Sequence, residues 1–324
     1  MIELVKVNCP LCGSAKHKPI FTTPDRLNIA DPNLYTVVRC RSCGLRFINP
    51  RPAFKYIPDL YTDEYYNREA DPEALLAEKR GINVKKYSCF ANLVSGPGRI
   101  LDVGCQKGEF LAFMQSRGWD VQGVEFSDRA PNLYDLPVHY GGLDSADFPA
   151  NHFDVITYWA VLEHIPEISL EVERAVRVLK SGGLLVLLTT NFNSLAARVL
   201  KLDDIPRHLV LFHKNTLEKL VSNNECATER IFTSDAIFRM SANCLLRYSS
   251  ARWLGGDPEK FYRDLFRVLY EPSRDTAGRY ERLRKLGLLR SSLLLADRAL
   301  GYLIDKVSLL LDCYGIAVIV ARKR

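Results

Sequence analysis

The chain reads as an α/β protein: a doubly wound, mostly parallel sheet of seven strands, with a small cysteine-held ribbon before it and a helical insertion before the last strand. Three observations predict this. From Gly98 onward, short apolar runs alternate with stretches of helical period, which implies parallel strands joined by crossovers. The run Ile100-Leu101-Asp102-Val103-Gly104-Cys105-Gln106-Lys107-Gly108 ends an apolar strand in an acidic turn punctuated by glycine. Two C-x-x-C-G knuckles stand near the start, where they can close a small fold around a metal.

Residues 1–48 read as the ribbon. Its knuckles are Cys9-Pro10-Leu11-Cys12-Gly13 and Cys40-Arg41-Ser42-Cys43-Gly44. Four thiolates on tight turns suit tetrahedral zinc, and a site closed by four cysteines leaves no position for water. Zn2+ bound by Cys9, Cys12, Cys40 and Cys43 is therefore expected to be structural. Asn49-Pro50-Arg51-Pro52 ends the ribbon, since proline denies sheet hydrogen bonds. Residues 49–97 form a connector or lid, tyrosine-rich at Tyr56, Tyr61, Tyr65 and Tyr66 and then helical in pattern. Cys89, Cys105, Cys226, Cys244 and Cys313 show no ligand spacing.

Residues 98–324 carry the main domain. Arg99 to Val103 is the first strand, Phe110 to Arg117 the first helix and Asp120 to Val124 the second strand. Val138 to Tyr140 is a short third strand. Phe153 to Tyr158 is the fourth, followed by a helix opening near Glu163. Leu184 to Thr190 is the fifth, introduced by the turn Lys180-Ser181-Gly182-Gly183. Thr228 to Thr233 is the sixth and Gly315 to Ala321 the seventh. The insertion covers about 234–312. Within it, Leu289 to Asp312 puts Arg290, Asp297, Gly301, Asp305, Ser308 and Asp312 on one narrow stripe of a helix. Its wide apolar face is expected to pack on the sheet; a dimer interface, an apolar substrate tail or a membrane surface are the alternatives.

The turn after the first strand points to a nucleoside ligand. Gly104 and Gly108 let it approach the backbone, and Glu125, closing the next strand, can accept from a ribose diol. The dinucleotide pattern G-x-G-x-x-G fails, because 106 is Gln and 109 is Glu. A diphosphate would also meet Asp102 and Glu109. S-adenosylmethionine has no phosphate, and it offers an ammonium to a strand-end carboxylate, so it suits the turn better. Trp159, at the end of the fourth strand, could wall its methionine or adenine part.

These residues resemble a class I S-adenosylmethionine-dependent methyltransferase, whose motif D-x-G-x-G-x-G falls on Asp102, Gly104 and Gly108, with Gln106 in place of the central glycine. At a positive φ, Gln106 costs roughly 1 kcal/mol. The ribbon, that motif, Trp159-Ala160-Val161-Leu162-Glu163-His164 and Asp204-Ile205-Pro206-Arg207-His208-Leu209 together resemble a bacterial subgroup often linked to polysaccharide and sugar biosynthesis. The resemblance implies a Rossmann-like methyltransferase sheet and a small-molecule or lipid-linked saccharide acceptor. It implies cofactor contacts at Asp102, Gly104, Cys105, Gly108, Glu125, Phe126, Leu143, Asp144 and Trp159, with Leu143 and Asp144 at the adenine. Ala160 stands where the subgroup has histidine.

Methyl transfer to a hydroxyl requires removal of a proton, and histidine titrates near neutrality. His208 is the first choice for the base, with Arg207 beside it for a phosphate of a nucleotide-linked acceptor; His164 is the second histidine singled out. The expected activity is methylation of a hydroxyl or amine on a sugar, nucleotide-sugar or lipid-linked saccharide. Two other readings remain at this level. One is an RNA methyltransferase gripping its substrate through Lys16, Lys18, Arg39, Arg41, Arg46 and Arg51. The other is a scaffold that lost the cofactor through Gln106. A net charge of +6 is too mild to demand nucleic acid, so that partner is not expected. Apolar residues at 47% support a substantial core. No signal-like start and no apolar run of about 18 residues is seen. With an odd number of cysteines, nine, this argues for thiols in a reducing cytoplasm, with peripheral membrane contact left to the helix at 289–312.

Overall fold

The computed structural model describes residues 2–25, 28, 31–61, 71–194, 197–198, 203–238 and 291–324. In the N-terminal part, β1 (Leu4–Val5) pairs antiparallel with β5 (Arg51–Pro52), while β2 (His17–Pro24), β3 (Leu34–Cys40) and β4 (Arg46–Ile48) form an antiparallel meander. Helix α1 (Pro72–Ser88) follows; Asp71 caps it by accepting from the Ala74 N–H at 2.7 Å, and Pro72 takes the first position, where no N–H is needed. Tyr65 and Tyr66 of the expected lid lie outside the described residues.

The main sheet is built from β6 (Arg99–Val103), β7 (Asp120–Glu125), β8 (Val138–Tyr140), β9 (Phe153–Trp159), β10 (Leu179–Thr190), β12 (Cys226–Thr233) and β13 (Ile316–Lys323). Its order is β12-β13-β10-β9-β6-β7-β8. The pairings β7–β8, β6–β7, β6–β9 and β9–β10 are parallel, and β13 alone runs against its neighbours on both sides. The seven-stranded, mostly parallel expectation is met. The strand order reverses around β6, so the carboxyl ends of β6, β7 and β9 open a crevice for a ligand.

Helices cover both faces. α2 (Glu109–Gln115) buries Phe110, Leu111, Phe113 and Met114 against one side with Phe90 and Trp119. On the other side, α3 (Ile168–Val178) and α4 (Lys214–Asn223) bury Val172, Val176, Leu217 and Leu220 in a cluster that also takes in Cys9, Leu11, Val38 and Phe47. The N-terminal ribbon therefore shares its core with the main sheet. The short strand β11 (Val210–Leu211) extends the ribbon by pairing with β4.

Three local expectations are corrected. The helix expected near Glu163 is only a 3-10 turn, Leu162–His164; Ile165 is extended ahead of Pro166, and α3 begins at Ile168. Lys180 to Gly183 is not a turn before the fifth strand but a bulge within β10, where pairing to β9 skips from Leu179 to Leu184 and Gly182 takes φ +76°. α5 (Ser291–Leu310) docks through its polar stripe instead of its apolar face. Gly301 and Ser308 are buried, and Asp312 accepts from the Thr233 N–H at 2.6 Å and from Lys214. Leu303 and Leu310 remain 59% and 85% exposed. Small side chains on the stripe let the helix approach closely; Leu309 packs partly on the core, whereas Tyr302, Leu303, Val307 and Leu310 are left outward. Most of the expected insertion, 239–290, lies outside the described residues. Among the described residues, no helix is long and apolar enough to cross a membrane.

Candidate functional site

The four N-terminal cysteines converge. Cys9 Sγ lies 3.5 Å from Cys43 Sγ, and Cys12 Sγ lies 3.6 Å from Cys40 Sγ. Metal–sulfur bonds of about 2.3 Å in a tetrahedron place sulfurs about 3.8 Å apart, so the set fits zinc. Each knuckle closes by a backbone bond, from Gly13 N–H to Cys9 O (2.8 Å) and from Gly44 N–H to Cys40 O (3.2 Å). Both glycines are left-handed there, at φ +70° and +85°.

At the end of β6, the Gly104 and Cys105 N–H groups donate to Val124 O at 2.7 and 3.1 Å, pinning the turn to β7. Gly104 has φ +73°, and a Cβ there would meet Val161 Cγ2 at 2.4 Å. Gly108 has φ +86° and opens α2. Gln106 also adopts a positive φ, +49°, so the strain anticipated for it is present. The turn still works electrostatically: the Gln106 N–H donates to Glu125 Oε2 at 2.8 Å, and the Ser127 N–H donates to Oε1 at 3.1 Å. Each carboxylate oxygen thus keeps acceptor capacity for a ribose hydroxyl. Burial raises the Glu125 carboxyl above its ordinary value, against those N–H groups.

Asp102 is buried, and the Thr157 hydroxyl donates to its Oδ1 at 2.5 Å. Burial pushes its carboxyl up to about 7, opposed by the Lys86 ammonium and the Thr157 bond. Lys86 lies 5.1 Å from the Phe110 ring centre and 5.4 Å from that of Trp159. Burial lowers its ammonium, while Asp102 and Glu109 support it. The Lys86 ammonium thus lies near acidic groups and aromatic faces at the edge of the turn. Trp159 is 7% exposed, meets Phe110 edge-on at 5.4 Å, and has a buried indole N–H with no partner among the described residues. These features fit S-adenosylmethionine and disfavour a diphosphate. Phe126 is exposed and borders Gly142, bringing it beside Leu143 and Asp144; Leu143 is buried, whereas Asp144 faces outward near Arg174 (3.8 Å). Cys105 is buried and its thiol is raised by burial, so it lines the turn without being a nucleophile.

Beyond β9, His164 and His208 meet with ring centres 4.7 Å apart. His164 Nδ1 lies 3.1 Å from Arg207 O and 2.8 Å from the Tyr61 hydroxyl. His208 Nδ1 lies 3.4 Å from Asp203 Oδ1, which also accepts from the Thr190 hydroxyl at 3.0 Å. Burial holds His164 well below the ordinary histidine value. Burial opposes a charge on His208 too, but Asp203, Glu163 and Asp204 outweigh it and raise its value. Glu163 is fully buried, and among the described residues neither carboxylate oxygen has a partner in hydrogen-bond geometry; burial raises its carboxyl, opposed by His208, the Thr189 hydroxyl and the Thr190 N–H.

Arg207 requires a correction. Its guanidinium donates to both oxygens of Asp25 (2.8 and 3.0 Å), to Asp204 (2.7 Å) and to Leu60 O (3.4 Å). With Arg207 buried on these partners, it ties the ribbon to the main domain and is not offered to a phosphate. Sequence reasoning missed Glu163, Asp203, Asp25 and Lys86 as site residues. The adjacent Glu163-His164 pair was a usable signal for the first; the others carry no pattern of their own.

A family model described as a methyltransferase domain matches residues 75–230. The chain is similar to the ubiquinone biosynthesis O-methyltransferase of Paraburkholderia phymatum, 33% identical over 128 residues, covering 36% of this chain and 54% of that protein. The protein of that name from Nitrosomonas europaea is 26% identical over 136 residues, covering 38% and 57%. The chain spans about half the length of the curated relatives it matches. The crystal structure of a SAM dependent methyltransferase from Archaeoglobus fulgidus is 18% identical, covers 78% of this chain and 95% of that one, and has a TM-score of 0.46. The seven-stranded sheet and the matched segment are those of a Rossmann-like methyltransferase domain.

Proposed function

We propose that this chain transfers the methyl group of S-adenosylmethionine to a hydroxyl of a small acceptor, a sugar, nucleotide-sugar or lipid-linked saccharide, and that its ribbon holds one structural zinc. The carrying observation is the cradle of Gly104, Gly108 and Glu125, with backbone N–H groups orienting the carboxylate. When bound, the sulfonium supplies an activated methyl group and its own leaving group. The chain's part is to align the acceptor, exclude water and accept its proton. His208, oriented by Asp203, is suited to take that proton, and Trp159 with Phe110 walls the cradle on one side. The printed name of the relatives, O-methyltransferase, supports a hydroxyl over an amine, and it favours as a second reading the hydroxyl of a phenolic lipid.

Calorimetry with S-adenosylhomocysteine tests the cradle: saturable binding is expected. No heat and no thermal shift at millimolar ligand would instead leave a scaffold without cofactor. A screen of nucleotide sugars, lipid-linked sugars, polyprenyl phenols and RNA with labelled methyl donor then separates the acceptors.

A further inference from the structure

We propose that Glu163, His164 and His208 form a site for a divalent first-row transition-metal ion beside the cofactor cradle, with open positions for acceptor oxygens. Their ligand atoms all lie within 4.8 Å of one another. Two ligands about 2.1 Å from one ion are at most about 4.2 Å apart, so small side-chain shifts close the set.

Two features point to a cation here beyond proximity. The Glu163 carboxylate is fully buried, and neither oxygen has a hydrogen-bond partner among the described residues, a group that a bound cation would satisfy. Both imidazoles are also held from behind through Nδ1. With Arg207 O as its acceptor, His164 carries its proton on Nδ1 and the Tyr61 hydroxyl, 2.8 Å from the same atom, must accept as well; the Asp203 carboxylate favours the same tautomer on His208. In that tautomer Nε2 is the ring nitrogen with a lone pair to give, and a carboxylate or carbonyl behind a ligating histidine is the usual supporting shell. Imidazole and carboxylate suit first-row ions such as Mn2+, Fe2+ or Zn2+, and three protein ligands leave coordination positions open. The site borders the cradle, since Val161, two residues before Glu163, packs against Gly104.

Metal binding is independent of the methyl-transfer reading; the role of the ion rests on it. An acceptor with two neighbouring oxygens, a vicinal diol or catechol, would chelate through the open positions. The ligated hydroxyl releases its proton to water, its oxygen forms the new bond to the methyl carbon, and the carbon–sulfur bond breaks with its electron pair going to sulfur. With the ion bound, His208 ligates it, and the ion replaces the proton-accepting part that His208 plays in its absence.

The test is titration of the zinc-saturated chain with Mn2+, followed by loss of the free-ion EPR signal, and with Co2+, followed by visible absorption. One ion per chain is expected beyond the ribbon's zinc. Glu163→Gln should weaken it more than tenfold, and Asp203→Asn about 10–100-fold, with ribbon zinc and circular dichroism unchanged. Asp203→Asn serves if Glu163→Gln fails to fold. Absence of binding for both ions, or unchanged affinity in either folded variant, overturns the proposal. Methyl transfer at full rate without bound ion would overturn the ion's role and spare the methyl-transfer reading. Metal binding without any cofactor binding would do the reverse.

Discussion

The cysteine ribbon and the histidine edge are both clusters of polar side chains within reach of a metal, yet they are built in opposite ways. In the ribbon, ligands come in pairs three residues apart, and each knuckle is shaped by its own backbone bonds. At the histidine edge, Glu163 and His164 follow β9 while His208 follows β10, and they meet only because those strands are neighbours. The ribbon is closed by four sulfurs. The edge holds a buried carboxylate with no hydrogen-bond partner among the described residues. The difference teaches that a ligand set can be encoded locally in one region, whereas the other cluster is assembled by the sheet. The two regions are coupled through Asp25 and Arg207.

Removing the ribbon metal should have the largest effect. Cys40→Ser is expected to abolish zinc and lower Tm by roughly 10 °C or more, because the ribbon shares the main core. An unchanged Tm would show the ribbon to be an independent appendage. Asp25→Ala leaves Arg207 buried with Asp204 and the Leu60 carbonyl as its acceptors and should cost about 3 kcal/mol in denaturant unfolding. A cost below about 1 kcal/mol would mean the coupling is absent.

Asp102 sharpens the contrast by pH. Its carboxyl is raised by burial to about 7, so the protonated form is the one folding favours. Its contribution is full below the ordinary carboxylate range and is lost as pH rises through about 7. Asp102→Asn should therefore flatten the stability decline between about pH 5 and 7 by roughly 2 kcal/mol, measured by urea unfolding at each pH. An unchanged slope would refute that state of Asp102.

Gly104→Ala should weaken S-adenosylhomocysteine binding about tenfold or more, since its Cβ would strike Val161 at a left-handed position. Adding Val161→Ala should restore part of it; full affinity in the single variant would argue against the cradle. The smallest effect is expected from Gln106→Gly, which relieves left-handed strain by no more than about 1 kcal/mol while keeping the backbone bond to Glu125. A loss of stability would show that the glutamine side chain does more than tolerate its backbone.

Much of this was legible along the chain. Arg99–Val103 and Val138–Tyr140 appear at the expected residues, the knuckles meet, and Glu125 faces the glycine turn. These depend on periodicity, short spacings and backbone geometry, which are properties of sequence neighbours. The stripe on α5 was legible too, but not which side of it would dock.

The sequence alone determined the strands, the cofactor turn and the paired cysteines, because each is written in residues a few positions apart. Only the tertiary structure decided that Arg207 belongs to Asp25, that Glu163 is buried beside two histidines, and that α5 turns its small residues inward. The reason is physical: ion pairing, desolvation and close packing depend on what the fold brings from elsewhere, and no local pattern specifies the partner.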